Sequence, residues 1–276
     1  KLRLDENRVR NLVICIHPTH DVWVRDYGPL FVYRQGKQQT ERLITKWQFN
    51  GWGGKYEEEF LNDNEIPRQI AKMTDSELIS VEHVLEGGSI DVNGRGTLIT
   101  STDCLLNDNR QTGVSRQKIE ELFHRYLGIR QVIWAQGQIK GDDTDGHIDD
   151  AVRFVGPRQV VCIAEKRAQD VNYESLRCLK ESLAHIKDQD GEPIAVAELP
   201  MPNPVEFEGQ RMPASYANFL ITNKKILVPV YGCDQDQEAL KIIGSFFPDR
   251  KAVGIDCCAL VTGFGSIHCV SMHVPV

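Results

Sequence analysis

Long apolar runs are missing from this 276-residue chain, and nothing in it approaches the roughly 18 apolar residues of a membrane-spanning helix. Its opening stretch, Lys1 to Arg10, is polar and charged, which excludes a secretory signal there. Basic clusters are missing too. With a formal net charge of −7 and no Lys/Arg patch of the kind that reads phosphates, nucleic acid and anionic membrane are poor partners. A small cation would be drawn in instead. The eight cysteines show no CxxC spacing, so no zinc or redox pair is expected, and a chain this long needs no disulfide staples. Reduced thiols point to a cytoplasmic setting. Low-complexity segments, long linkers and heptads are also absent. The expectation is one domain over residues 1–276, with the amino-terminal part of its first unit missing; a homo-oligomer is left open.

What is present is a recurring order of short elements. Apolar, strand-like runs stand at Val13-Ile14-Cys15-Ile16, Leu30-Phe31-Val32-Tyr33, Glu77-Leu78-Ile79-Ser80-Val81 and Gln131-Val132-Ile133-Trp134. Others stand at Val160-Val161-Cys162-Ile163, Ile194-Ala195-Val196, residues 213–221, Lys225-Ile226-Leu227-Val228-Pro229 and Ala252-Val253-Gly254-Ile255. Asn93-Gly94 predicts a hairpin turn into Gly96–Thr100. Helical periods run over 115–127, about 173–186 and about 237–246. Asp26, Glu86, His147, Asn218 and Cys269 recur at intervals of about 60 residues, which suggests repeated supersecondary units around an axis, each delivering one polar residue to the centre. An ordinary parallel α/β sheet also fits this alternation.

The last stretch, Gly263-Phe264-Gly265-Ser266-Ile267-His268-Cys269, delivers a cysteine from a glycine-broken turn into an alternating segment that reads as a strand. A free thiol is only about 3% ionised at pH 7, so a nucleophile there needs help. On a strand, His268 would point to the opposite face, and His273 would lie roughly 13 Å along. That places neither as a base for Cys269 and weighs against a His268–Cys269–His273 metal site. His147 is the better partner. Spacing by two puts it on one face of an extended segment with Asp149, about 6.6 Å along, where both could touch one ligand. A solvated acidic loop is the plain alternative. A calcium loop is excluded, because with Gly146 at its sixth position Gly141 and Val152 would have to supply oxygens they lack.

Asp26, among aromatic and apolar neighbours, must be paired or face solvent, and a surface pair with Arg25 is one outcome. Glu86 precedes Gly87-Gly88, where backbone can approach closely; it could orient a histidine or be a surface acid. Acids around a thiol raise its pKa, which disfavours a protease-like site. They suit a cationic ligand. A guanidinium binds carboxylates bidentately, and its charge would stabilise the thiolate.

The chain resembles the agmatine deiminases and bacterial-type peptidylarginine deiminases of the guanidine-modifying (pentein) superfamily. The resemblance rests on Trp-Val-Arg-Asp-Tyr-Gly-Pro at 23–29, Phe-Asn-Gly-Trp-Gly-Gly-Lys-Tyr at 49–56, Leu-Glu-Gly-Gly-Ser at 85–89 and Cys-Leu-Leu-Asn-Asp-Asn-Arg at 104–110. It continues through Gly-His-Ile-Asp at 146–149, Ala-Ser-Tyr-Ala-Asn-Phe at 214–219 and Ile-His-Cys at 267–269. It implies a five-bladed, pseudo-symmetric α/β propeller of ββαβ units, the first blade incomplete, and no metal or organic cofactor. It implies that Asp26 and Asp149 grip a guanidinium, Cys269 attacks it, His147 shuttles protons and Glu86 holds the imidazole. Asn218 would stand near the thiol, Trp23 would cover an alkyl chain and Asp143 would face the substrate. The implied reaction is hydrolysis of agmatine to N-carbamoylputrescine and ammonia; peptidyl or free arginine is the near rival. A non-catalytic guanidine-binding propeller is the alternative from another class. Where many agmatine deiminases read Gly-Gly-Gly-Asn before Ile-His-Cys, this chain has Gly263-Phe264-Gly265-Ser266.

Overall fold

The computed structural model describes residues 12–36, 40–56 and 60–275, and the fold is mixed α/β. One motif occurs in it four times. A hairpin of two antiparallel strands leads into a helix, and the helix returns a third strand parallel to the second. The first unit is Leu30–Gln35, Thr40–Gln48, the helix Leu61–Met73 and Glu77–Val84. The second is Ile90–Val92, Thr97–Ser101, Arg116–Leu127 and Gln131–Ala135. The third is Val152–Gly156, Gln159–Ala164, Tyr173–Ser182 and Ala195–Pro200. The fourth is Leu220–Ile221, Lys225–Val230, Gln235–Ser245 and Lys251–Asp256. These are the expected ββαβ units.

The central strand of each unit forms where the sequence can be buried on both faces. Val160, Val161, Cys162 and Ile163 lie at the centre of the third sheet and are all buried, as a continuous apolar run requires. The helices bury one stripe each. In Arg116–Leu127, Ile119 and Phe123 face the core, Ser115 Oγ caps the start by accepting the Lys118 N–H, and left-handed Gly128 ends it. The third and fourth units share one core that includes Leu199, Phe219, Ile226 and Val228. A second cluster, around Leu98, Ile119 and Phe123, also takes in Trp47 and Val81 of the first unit. An aromatic cluster of Trp23, Phe49, Trp52 and Phe60 packs beside Cys269.

The polar residues of interest stand outside the ladders. Asp26, Glu86, His147 with Asp149, and Asn218 each occupy the turn just before the first strand of a unit; Cys269 follows the last strand. Each unit thus projects its chemistry from an equivalent point.

Several local expectations are corrected. Residues 267–270 form a turn and 271–274 are irregular, not a strand: no ladder partner exists there among the described residues, and Val270 N–H and Ser271 N–H donate to Ser266 and His268 carbonyls. Asp26 lies on the short helix Val24–Tyr27, and Asp149 on the 3-10 turn Ile148–Asp150. Residues 13–16 pair with no strand among those described, and only Leu220–Ile221 of residues 213–221 is strand. Strand Thr40–Gln48 and helix Leu61–Met73 went unread. The first mixes charge into its alternation, and the second carries Pro67, which ordinarily marks a helix end. The amino-terminal residues 1–11 lie outside the described residues. Among the described residues no helix is long and apolar enough to cross a membrane.

Phe123 is almost completely buried and meets Trp47 edge-on at 6.1 Å between ring centroids. Phe123→Ala should cost about 3–5 kcal/mol through the cavity it leaves. The check is a urea titration, with the midpoint lowered and the slope unchanged.

Candidate active site

The turns converge on a cavity of about 500 Å³ lined by Trp23, Asp26, Trp52, Tyr56, Asp143, His147, Asp150 and Cys269, with residues 259–260 and 262–265 as one wall. Of the eight residues singled out from sequence, five line it: Trp23, Asp26, Asp143, His147 and Cys269. Glu86, Asp149 and Asn218 are completely buried behind them.

Backbone proximity makes this convergence possible. A Cβ on Gly88 would lie 2.6 Å from His147 Nδ1 and 2.7 Å from Asp26 Oδ1, so only glycine fits there. The Gly88 N–H uses that approach to donate to Asp26 Oδ1 at 3.0 Å, and Trp52 Nε1–H donates to Asp26 Oδ2 at 2.9 Å. The alternative of a surface pair between Asp26 and Arg25 is not realised, and both residues are buried. Gly265 is similarly constrained: a Cβ there would lie 2.4 Å from the Trp23 ring.

His147 stands between two carboxylates, with Nδ1 3.6 Å from Asp26 Oδ1 and Nε2 3.8 Å from Glu86 Oε2. These distances couple the charges but exceed direct hydrogen bonds. Burial would lower the imidazole pKa, but Asp26, Cys104 and Glu86 outweigh it and raise it well above the ordinary value. Glu86 itself is held by Arg110 Nε at 2.9 Å; Arg110 also bonds Asp145 and, at 2.8 Å, the Thr144 carbonyl. Burial alone would raise Glu86, but His147 and Arg110 bring it below the usual carboxylate value.

Cys269 Sγ accepts from Asn218 Nδ2 at 3.1 Å and lies 3.9 Å from Asp149 Oδ2. The same amide reaches Asp150 Oδ1 at 3.0 Å, while Asn218 Oδ1 accepts the His268 N–H at 2.9 Å. Burial, then Asp149, Asp150 and Asp26, push the Cys269 thiol well above its ordinary pKa. Burial raises Asp149 to about 7; Asp26 adds to this, while His147, Arg153 and Arg25 oppose it. Asp150 is pushed well up by burial, Asp149 and Asp142. At the outer end Tyr56 O–H donates to Asp143 Oδ2, and Lys55 Nζ bridges to the Asp143 carbonyl and, at 2.7 Å, to Asp145 Oδ1.

The strand argument therefore misplaced His268. It is buried beside the site, with Nδ1 2.7 Å from Asp149 Oδ2. His273 turns its Nε2 to the Ile221 carbonyl at 2.8 Å and its Nδ1 towards Arg25. Asp149 and His147 do not share a strand face; the 3-10 turn brings Asp150 to the cavity wall instead. Trp52, Arg110, Asp150 and His268 were assigned no role in the sequence. The signal available for Trp52, Arg110 and His268 was their place inside the motifs at 49–56, 104–110 and 267–269. Two sets of atoms, Glu86–Cys104–His147 and Asp149–Asp150–Cys269, lie within 4.8 Å of one another, close enough to surround a cation. Chemically, the arrangement offers a thiol, a protonated imidazole and three carboxylates that lack a Lys or Arg ion pair among the described residues: Asp26, Asp149 and Asp150.

Comparison with known proteins places the chain in a family. The family model for Porphyromonas-type peptidyl-arginine deiminase matches residues 3–275. A Legionella pneumophila protein, provisionally named agmatine deiminase, is 36% identical over 96% of the chain and 76% of its own length. The crystal structure of a Porphyromonas gingivalis protein, provisionally named arginine deiminase, superposes with a TM-score of 0.88 at 36% identity, covering 95% of this chain and 77% of that one. C. jejuni agmatine deiminase with substrate bound superposes with a TM-score of 0.85 at 32% identity, covering 96% and 76%.

Two outcomes follow from the charge balance. Asp149 has a folded pKa near 7, above its unfolded value of about 3.9, so its contribution to stability is full below the latter and is lost as pH rises through the former. Between about pH 4 and pH 7, wild type should therefore lose on the order of 2–4 kcal/mol relative to Asp149→Asn in paired urea titrations. Parallel pH dependences would contradict this. Alkylation of Cys269 by iodoacetamide, followed on its peptide by mass spectrometry, should still be accelerating above about pH 9 in the unliganded protein. A plateau near neutral pH would show a preformed thiolate instead.

Proposed function

The chain belongs to the Porphyromonas-type peptidyl-arginine deiminase family, and from that premise we propose that it hydrolyses agmatine to N-carbamoylputrescine and ammonia. It is a hydrolase acting on the C–N bonds of a linear amidine. The observation that carries the choice of substrate is the sign of the charge in the cavity. Among the described residues that line it, Asp21, Asp26, Asp143 and Asp150 are acidic and none is Lys or Arg. A guanidinium at the inner end and an amine at the outer end suit such a wall. The carboxylate of free arginine, or of a carboxy-terminal arginine, would enter without a cationic partner.

In this reading Asp26 and Asp149 bind the guanidinium, and Trp23 covers the alkyl chain. Asp143 faces the distal amine. The arriving cation offsets the buried carboxylates and lowers the thiol pKa, so Cys269 ionises, losing its proton to solvent, and attacks the central carbon. Asn218 Nδ2–H steadies the sulfur. His147, held protonated between Asp26 and Glu86, gives its proton to the departing nitrogen and ammonia leaves. The resulting imidazole then takes a proton from water as the water attacks the thiouronium carbon. Collapse breaks the C–S bond, releases the ureido product and restores the thiol. Glu86, anchored by Arg110, keeps the imidazole in place and charged.

The repeat supports a further reading of the architecture as a five-bladed propeller forming one catalytic domain. Residues 12–16 precede Asp26 as Glu77–Val84 precedes Glu86 and Gln131–Ala135 precedes His147. Their apolar side chains are exposed, Ile16 at 91%.

The test is ureido product formation from agmatine, free arginine and a peptide with carboxy-terminal arginine, with Cys269→Ala as control. Agmatine should be preferred by at least about tenfold in kcat/KM, a difference of about 1.4 kcal/mol in transition-state binding, and the variant should be inactive. Turnover that survives the substitution would overturn the mechanism; preference for the peptide would overturn the substrate.

A further inference from the structure

Asp149 is the most enclosed of the carboxylates around the thiol, and its two oxygens are not equivalent. Oδ2 takes His268 Nδ1 at 2.7 Å and the Asn218 amide at 3.4 Å, and lies 3.9 Å from Cys269 Sγ. Oδ1 is buried and has no hydrogen-bond partner. A buried carboxylate oxygen without a donor is costly unless a ligand supplies one. No other nearby cation takes that place. Arg25 points its Nε to the His268 carbonyl at 3.3 Å, with its other nitrogens towards Met272 and His273. Arg153 is occupied by the Ala217 and Phe219 carbonyls and by Asp91.

His268 is itself fixed. Its N–H is bound by Asn218 Oδ1, its carbonyl by Arg25, and Ser271 Oγ–H also donates to that carbonyl, at 2.9 Å. The geometry points to His268 as a positioning residue for the guanidine reaction: its imidazole clamps one oxygen of Asp149 so that the other faces the substrate's N–H groups. This rests on the reading of Asp149 as a guanidinium-gripping carboxylate. The clamp also orders the site. A carboxylate free to rotate could turn both oxygens towards Cys269 and oppose formation of the thiolate.

The protonation states agree with the geometry. Burial, with Arg153, Arg25, His273 and His147, keeps the His268 pKa well below its ordinary value. An uncharged imidazole with its proton on Nδ1 donates to Asp149 without neutralising it, and leaves that charge to the substrate. Asp149 is faced by His147 and Asp26, by Arg25 and Arg153, by Asp150, and by Cys269 with Asn218 and His268. Of these, His268 makes the shortest hydrogen bond to it.

The experiment compares wild type, His268→Asn and His268→Ala as the full chain. Asparagine can present an N–H near the position of Nδ1, whereas alanine cannot. With agmatine, His268→Ala should lose about tenfold or more in kcat/KM, and the acidic limb of its kcat/KM–pH profile should move up by about one pH unit, because a carboxylate that loses a donor is protonated more easily. His268→Asn should stay within about threefold of wild type with its profile in place. A readout that needs no turnover is the pH window over which the unliganded protein loses stability in urea. It should move upward in the alanine variant alone. Equal loss in both variants with unmoved profiles would overturn the proposal, since it would show packing rather than a donor. An unmoved stability window in His268→Ala would overturn it independently of substrate. Wild type inactive on every guanidine, with the stability window moving as expected, would remove the reading of the reaction and leave the clamp on Asp149 standing.

Discussion

Three buried carboxylates around one thiol, none with an arginine or lysine of its own among the described residues, are the constraint on which the rest of the structure depends. Burying a carboxylate is unfavourable unless it is paired or protonated, and here burial pushes Asp26, Asp149 and Asp150 upward. Glu86 has what they lack. Arg110 binds it directly and carries the connection on to Asp145 and Lys55. The site thus has one carboxylate bound by an arginine and three that have no arginine or lysine partner among the described residues, of which Asp26 faces His147 at 3.6 Å. In the proposed reading a guanidinium supplies the missing charge, and in doing so moves Cys269 towards the thiolate. Binding and activation of the nucleophile become one electrostatic event.

The fold serves this by repetition. Each ββαβ unit hides its own apolar faces and leaves a turn at the mouth of its first strand. Groups that repel one another or resist burial are held in place because they are anchored on the turns of several units, with one core cluster behind the first and second units and another reaching from the second into the third and fourth. Gly88 then admits His147 and Asp26 to within contact of backbone, a closeness that no other residue permits.

Much of this was legible in the sequence because it depends on residue type and order. The spacing of Asp26, Glu86, His147, Asn218 and Cys269 recorded the repeat, and the helix Arg116–Leu127 was bounded by its own cap residues. What failed depended on alternation alone. Ile267–Val274 alternates like a strand yet pairs with no strand among the described residues, so the face assigned to His268 was wrong. Helix Leu61–Met73 was hidden by Pro67, which ordinarily marks a helix end, although Ile66 and Ala71 are buried on its inner face. The buried arginines were illegible for a different reason. Arg25, Arg110 and Arg153 look like ordinary surface charge until the fold brings carbonyls and carboxylates around them.

The central claim is that the bound cation makes Cys269 the nucleophile. The most direct measurement is mass spectrometry of the protein quenched during turnover of agmatine. The account predicts a transient adduct on the Cys269 peptide with the mass of the substrate less ammonia, absent in Cys269→Ala. Product formation at full rate without that adduct, or with an adduct on any other cysteine, would contradict it.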